Sequence, residues 1–147
     1  MRFSTRVRYG VQAMLTLAVR PQQVPLSVKE IAERDALPEH YLEQLITPLR
    51  RAGLVQSARG AQGGYLLARP AGEISLLEIV EALEGPIAVE GCDCPEDAPH
   101  ALGYCLEHGV WRKLKQAIEE HLASRSLADL RDETLHAARQ VAPAYEI

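Results

Sequence analysis

Cys92, Cys94, Cys105 and His108 fall within 17 residues of a 147-residue chain that has no other cysteine. Thiolate and imidazole are ligands that hold zinc or an iron–sulfur cluster. An odd, clustered cysteine count fits metal or redox chemistry better than a disulfide framework. Cys105 and His108 are three apart, so on a helix they share a face one turn apart. If that helix starts near Cys105, its N-terminus favours the negative charge of a thiolate-bound cluster. Cys92 and Cys94 sit in a Pro- and Gly-containing stretch that can fold over the same point. Zinc is a second occupant for the four donors. A cluster-free switch, with Cys92 or Cys94 pairing with Cys105, is a third reading. Asp93 or His100 can substitute as a ligand.

These residues follow a front half of opposite charge. Residues 1–70 hold ten Lys/Arg against five Asp/Glu, a net of +5, whereas residues 71–147 hold six against fifteen, a net of −9. The front half suits a polyanion and the rear half repels one. The hydrophobic share of 47% is enough for a packed core, and with only 5% aromatics that core must be aliphatic. No apolar run approaches the ~20 residues needed to span a bilayer. The opening MRFSTRVRYGV has no apolar stretch leading to a cleavage site. The expected compartment is therefore the cytoplasm, where thiols stay reduced.

The elements in front read as a helix over residues 5–19, with Val7, Val11, Met14, Leu15 and Ala18 at helical spacing. Ser27-Val-Lys-Glu30 is a capping box that opens a short helix ending near Leu37. Pro38 suits the first turn of the next helix, 38–52, whose apolar stripe is Leu42, Leu45, Ile46 and Leu49. His40, Glu43, Gln44, Arg50 and Arg51 fall largely off that stripe. Two short helices with a polar outward face on the second suggest a helix-turn-helix. Strands over 54–57 and 65–67 enclose a glycine-rich tip with one arginine, Arg59, and read as a wing. Ser75-Leu-Leu-Glu78 opens a further helix with Leu76, Ile79, Val80 and Leu83 inward, stopped by Gly85-Pro86. Residues 86–104 read as a loop. A helix of about four turns follows from Leu106, with Val110, Leu114, Ile118 and Leu122 on its apolar stripe, and a last one spans roughly 127–141. Pro48 is an oddity, because proline in a helix interior removes a backbone bond and usually kinks the helix. The predicted class is mainly α with a small β-hairpin wing. Its parts are a head (1–70), a connecting helix (71–85), a cysteine-rich loop (86–105) and a dimerisation helix plus C-terminal helix (106–147).

The chain resembles the Rrf2-type winged helix-turn-helix transcriptional regulators, closest to their iron–sulfur cluster-binding members. The residues that carry the likeness are Arg8-Tyr9 with Ala13-Met14-Leu15, Ile31-Ala-Glu-Arg34, Tyr41-Leu-Glu-Gln-Leu45, and Leu49-Arg50 through Gly53-Leu-Val55. Arg59-Gly60 with Gly63-Gly64-Tyr65-Leu66, and Cys105-Leu-Glu-His108 followed by Trp111, complete it. The resemblance covers about residues 1–140. It implies a homodimer, paired through the long helix, that binds double-stranded DNA and is controlled in many members by an iron–sulfur cluster. It favours 2Fe–2S over 4Fe–4S, held by Cys92, Cys94, Cys105 and His108. The Cys-x-Cys spacing departs from the family, whose first two cysteines stand several residues apart.

The resemblance also places Tyr41, Glu43 and Gln44, with His40 beside them, at the reading end of the recognition helix. Gln44 pairs in that role with adenine, and Glu43 accepts from cytosine. Tyr41 can instead pack on the wing. Arg50 and Arg51 suit phosphates, Arg59 a narrow A·T-rich minor groove, and Gly60, Gly63 and Gly64 a close approach of backbone to duplex. Two-fold symmetry makes the operator pseudo-palindromic. No Ser/His/Asp arrangement, phosphate-cradling loop or paired catalytic carboxylates stands out, so neither an enzyme nor a small-molecule substrate is expected.

Overall fold

The computed structural model describes residues 4–21, 24–89 and 102–141, with 102–108 and 141 described by their helical backbone. The described residues form α1 (Thr5–Val19), α2 (Val28–Asp35), α3 (Glu39–Arg51), β1 (Val55–Ala58), β2 (Gly64–Leu67), α4 (Leu76–Glu84), α5 (Leu102–Ser124) and α6 (Leu127–Val141). One 3-10 turn, Ala71–Glu73, joins the hairpin to α4.

Three helices open on a serine that bonds forward while a carboxylate three residues on bonds back. Ser27–Glu30 caps α2, Ser75–Glu78 caps α4 and Ser126–Asp129 caps α6. Each pair satisfies amides that the helix leaves without an internal partner. Hydrogen bonds from serine hold all three carboxyls ionised: Ser27 and Ser126 lower Glu30 and Asp129, and at Glu78 the bonds from Ser75 and Arg69 outweigh burial, which pushes the other way. Arg69 at the base of the hairpin bonds Glu78 at 2.6 Å and so ties wing to α4.

The turn between α2 and α3 reverses at Ala36, whose φ of 53° is left-handed. Its N–H and that of Leu37 both bond the Ala32 carbonyl, closing the helix end, and Leu37 buries its side chain. An L-residue in this conformation is strained by roughly 1 kcal/mol. Ala36→Gly is therefore expected to raise stability by about 0.5 kcal/mol, the gain being cut by glycine's larger unfolded-state entropy. Urea denaturation at constant m-value reads it.

The core is aliphatic, as composition required. Met14, Leu26, Ile31, Leu42, Leu45, Leu49, Leu54, Ile74, Ile79 and Leu127 are fully buried in one cluster. All four stripe residues of α3 are inside, whereas on α1 Leu15 is only half-buried and Ala13 and Leu17 take the buried positions beside Met14. Leu76 is likewise half-buried, on the flank of α4's inner face. Gly10 lets α4 come close to α1, since a Cβ there would lie 2.2 Å from Leu83 Cδ1. Leu127 N–H bonds the Ile74 carbonyl and Leu76 N–H bonds the Arg125 carbonyl, so the α5–α6 corner is laced to the start of α4.

Several boundaries differ from the sequence reading. Pro38 sits at the N-cap of α3, one position before its first turn. The strands are Val55–Ala58 and Gly64–Leu67 rather than 54–57 and 65–67. The helix expected from Leu106 begins at Leu102 and runs 23 residues, so the loop does not reach Cys105. Leu102 extends the four-residue spacing of Leu106, Val110 and Leu114 back by one turn, a periodicity that Gly103 obscured. On that stripe Val110 is 60% and Leu114 42% exposed, while Ile118 and Leu122 pack against the core.

Candidate nucleic-acid interface

α3 presents Glu39, His40, Glu43, Gln44, Thr47, Arg50 and Arg51 to solvent on one side and its buried stripe on the other. Glu39 in the first turn and the arginines in the last complement the helix dipole. The Gln44 side-chain amide lies 3.2 Å from His40 Nε2, and the Thr47 hydroxyl donates to the Glu43 carbonyl. The helix continues through Pro48 to Arg51. The bond proline removes would have engaged the carbonyl of Gln44, an exposed residue where water can serve instead.

Tyr41 is half-buried and meets Tyr9 of α1 edge to face, with centroids 5.9 Å apart and planes at 87°. Its ring partner is therefore α1, where the sequence reading offered the wing. The contact brings the first half of α1 against the start of α3. Arg6 and Arg8, both exposed, lie on that part of α1. Sequence reasoning used Arg8-Tyr9 only for family likeness and gave neither arginine a role. Their signal was the surplus of positive charge in residues 1–70.

A carboxylate fixes the helix pair from behind. Asp35, at the end of α2, is 9% exposed; its Oδ1 accepts from the Thr16 hydroxyl at 2.7 Å and its carbonyl from the Gln12 amide at 3.2 Å. Its Oδ2 is buried without a partner. Burial pushes the Asp35 carboxyl up, against the opposing pull of Thr16, Gln12 and Arg34. A carboxyl raised on folding favours the folded state more as pH falls through the raised value, and adds nothing further below 3.8, its ordinary value. Asp35→Asn keeps the Thr16 bond and removes the charge. It is expected to be more stable than wild type at pH 7 by about 1 kcal/mol, with the advantage shrinking on acidification. Paired denaturation curves at neutral and acid pH check both sign and slope.

The wing pairs antiparallel in the register Val55↔Leu67, Gln56↔Leu66, Ser57↔Tyr65 and Ala58↔Gly64. Leu26 adds a bridge to Tyr65 through two hydrogen bonds of 2.9 and 2.7 Å. Arg59 stands exposed at the tip. Gly60 has a φ of 119° that side-chain-bearing residues avoid, and it accepts from Gly63 N–H at 3.0 Å to close the turn. A Cβ on Gly63 would sit 2.7 Å from the Ala58 carbonyl oxygen, and one on Gly64 2.3 Å from that of Leu26. The glycines thus make the tip and seat the wing against the chain entering α2.

Cys105 and His108 fall one turn apart in α5, three and six residues after its first residue. Cys92 and Cys94, with Asp93 and His100, lie outside the described residues. As a donor set, three thiols and an imidazole suit a 2Fe–2S cluster, at two ligands per iron, or zinc. α5 packs on α4, which in turn packs on both α1 and α3. Among the described residues, no helix is long and apolar enough to cross a membrane.

A family model described as "Rrf2: Iron-dependent Transcriptional regulator" matches residues 3–133. The transcriptional regulator CymR of Bacillus subtilis strain 168 is 44% identical over 131 residues, covering 88% of this chain and 89% of CymR. The regulator IscR of Xenorhabdus nematophila is 40% identical over 130 residues, covering 88% of this chain and 79% of IscR. Among solved structures, CymR, titled the global cysteine regulator of B. subtilis, superposes with a TM-score of 0.77 at 41% identity, over 90% of this chain and 98% of its own. The IscR of T. potens does so with 0.71 at 41%, over 100% and 93%.

Proposed function

This chain belongs to the Rrf2 family of DNA-binding transcriptional regulators, and from that premise we propose a homodimeric repressor whose operator binding is controlled by an iron–sulfur cluster. The observation that carries the reading is the junction of two parts. An exposed polar face on α3 stands in one head with an arginine-tipped wing, and a helix bearing Cys105 and His108 packs on α4, the helix that supports that head.

In this role α3 enters the major groove, where base edges differ in donor and acceptor pattern. Gln44 and Glu43 face the bases, while Arg50 and Arg51, joined by Arg6 and Arg8, face phosphates. Tyr41 braces the reading end on Tyr9 and offers its hydroxyl to the backbone. Arg59 reaches the minor groove, with Gly60, Gly63 and Gly64 keeping the tip narrow. The exposed pair Val110 and Leu114 supplies an apolar seam for a second copy. Two copies related by a two-fold axis read a pseudo-palindrome. The protein acts as a regulator in the cytoplasm rather than as an enzyme.

Cys92, Cys94, Cys105 and His108 would hold the cluster, which supplies redox and nitric-oxide reactivity when bound. The chain's own part is to convert the geometry of α5 into the spacing of two heads, through α4. Control by cysteine oxidation without a cluster is the second reading. It is favoured by the match to CymR of Staphylococcus aureus, solved in an oxidized form at 39% identity and a TM-score of 0.70.

The reader is tested by selecting duplexes from a randomised library on the wild-type protein and titrating the winner against salt. Arg59→Ala is expected to weaken binding about tenfold and to flatten the log K against log salt plot by about one unit per protomer. Unchanged affinity and slope remove Arg59 from the interface. If no duplex is enriched, the DNA-reading proposal fails for this chain.

A further inference from the structure

We propose that His40 sets the base preference of Gln44 by fixing which edge of its amide is turned outward. The proposal rests on the reading that Gln44 faces the bases, and goes beyond it by assigning a positioning residue. His40 and Gln44 stand four apart, on adjacent turns of the exposed face of α3. The Gln44 amide nitrogen is the group turned to His40 Nε2, at 3.2 Å. An amide nitrogen can only donate, so in this contact Nε2 serves as the acceptor.

This bond uses one of the two N–H groups of Gln44. What remains outward is one N–H and the carbonyl oxygen, a donor beside an acceptor. That pattern complements adenine, which offers N7 as acceptor and N6–H as donor in the major groove. Were the amide turned over, its oxygen would face His40 and two N–H groups would point outward. That second pattern complements the N7 and O6 acceptors of guanine. A glutamine alone on a helix surface samples both orientations. His40 removes that freedom before DNA arrives, and an acceptor at this position selects adenine.

The experiment is a double-mutant cycle read in base discrimination rather than in affinity. The probe is the synthetic duplex selected on wild-type protein, together with variants carrying guanine for adenine at each position. Wild type, His40→Ala, Gln44→Ala and the double variant are titrated against every probe, with circular dichroism confirming that each is folded. Gln44→Ala is expected to lower the adenine-over-guanine ratio about tenfold at one position of each half-site. His40→Ala is expected to lower it roughly threefold at that same position, and to do nothing further once Gln44 is gone. His40→Glu, whose ionised carboxylate can only accept, is expected to recover most of the ratio while lowering affinity for every duplex alike.

The inference is overturned if Gln44→Ala lowers the ratio but His40→Ala does not, or if the His40→Ala effect persists without Gln44. In the second case His40 touches DNA on its own account. If Gln44→Ala alters no position while the duplex still binds, Gln44 is not a base reader and the underlying reading falls with the inference.

Discussion

Gly64→Ala is expected to melt about 10 °C below the wild type, a loss of roughly 3 kcal/mol. The new Cβ would lie 2.3 Å from the Leu26 carbonyl oxygen, 2.4 Å from its carbon and 2.7 Å from Ser27 N. All three are backbone atoms, so no side chain can swing aside. The strand entering α2 must move, and with it the two hydrogen bonds between Leu26 and Tyr65. Leu26 is fully buried and Ser27 caps α2, so displacement spreads to both the core and the helix-turn-helix. Gly72→Ala is the control, because its nearest neighbour would be Ala128 Cβ at an ordinary 4.0 Å. Thermal denaturation of the two variants separates a steric effect from a general cost of replacing glycine. A melting point for Gly64→Ala equal to that of Gly72→Ala would mean that Leu26 and the wing are not seated together.

Cys105→Ala, purified without oxygen, is expected to be colourless and to hold iron only at background. Losing one ligand of four strips a cluster, since second-sphere changes alone already cost about 10- to 100-fold in metal affinity. Its operator affinity is expected to equal that of wild-type protein freed of iron by chelation, and to differ from that of the loaded protein by about tenfold. Iron and sulfide assays beside a visible spectrum read the first part, and titration of the selected duplex reads the second. Because Cys105 lies on a helix that packs on α4, circular dichroism must show α5 retained for the comparison to stand. A variant that keeps full iron places the ligands elsewhere. Iron-free wild-type protein that loses DNA binding on oxidation, while Cys105→Ala keeps it under the same oxidant, supports the thiol-controlled reading instead.

Much of the head was legible because its signals are local. Ser27–Glu30 and Ser75–Glu78 announce their helices by residue type and spacing, and the α3 stripe of Leu42, Leu45, Ile46 and Leu49 follows the helical period without a break. The same logic would have found Ser126–Asp129. What could not be read depends on partners distant in sequence. Nothing around Tyr41 specifies Tyr9, which is 32 residues earlier. Gly64 looks like a wing-tip glycine until Leu26 is found against it. Asp35 has the sequence of a surface residue at a helix end, and its burial follows only from the way α1 covers that turn. The start of α5 was misplaced because a glycine interrupts an otherwise regular apolar spacing. Of the four proposed cluster ligands, the spacing of Cys105 and His108 suited one helix face, but the expected helix start at Leu106 left Cys105 in the loop, whereas α5 takes in both. Cys92 and Cys94 lie outside the described residues, so their part in the site rests on donor chemistry and likeness.

Control of DNA binding by the cysteine segment is tested most directly by one comparison: the affinity of anaerobically purified wild-type protein for its selected duplex, before and after removal of iron, with iron, sulfide and zinc assayed in each sample. Near-equal iron and sulfide in the first sample, and a shift in affinity of about tenfold on their loss, is the expected result. Equal affinity in the two states, or protein that holds no iron even after cluster reconstitution, would contradict it.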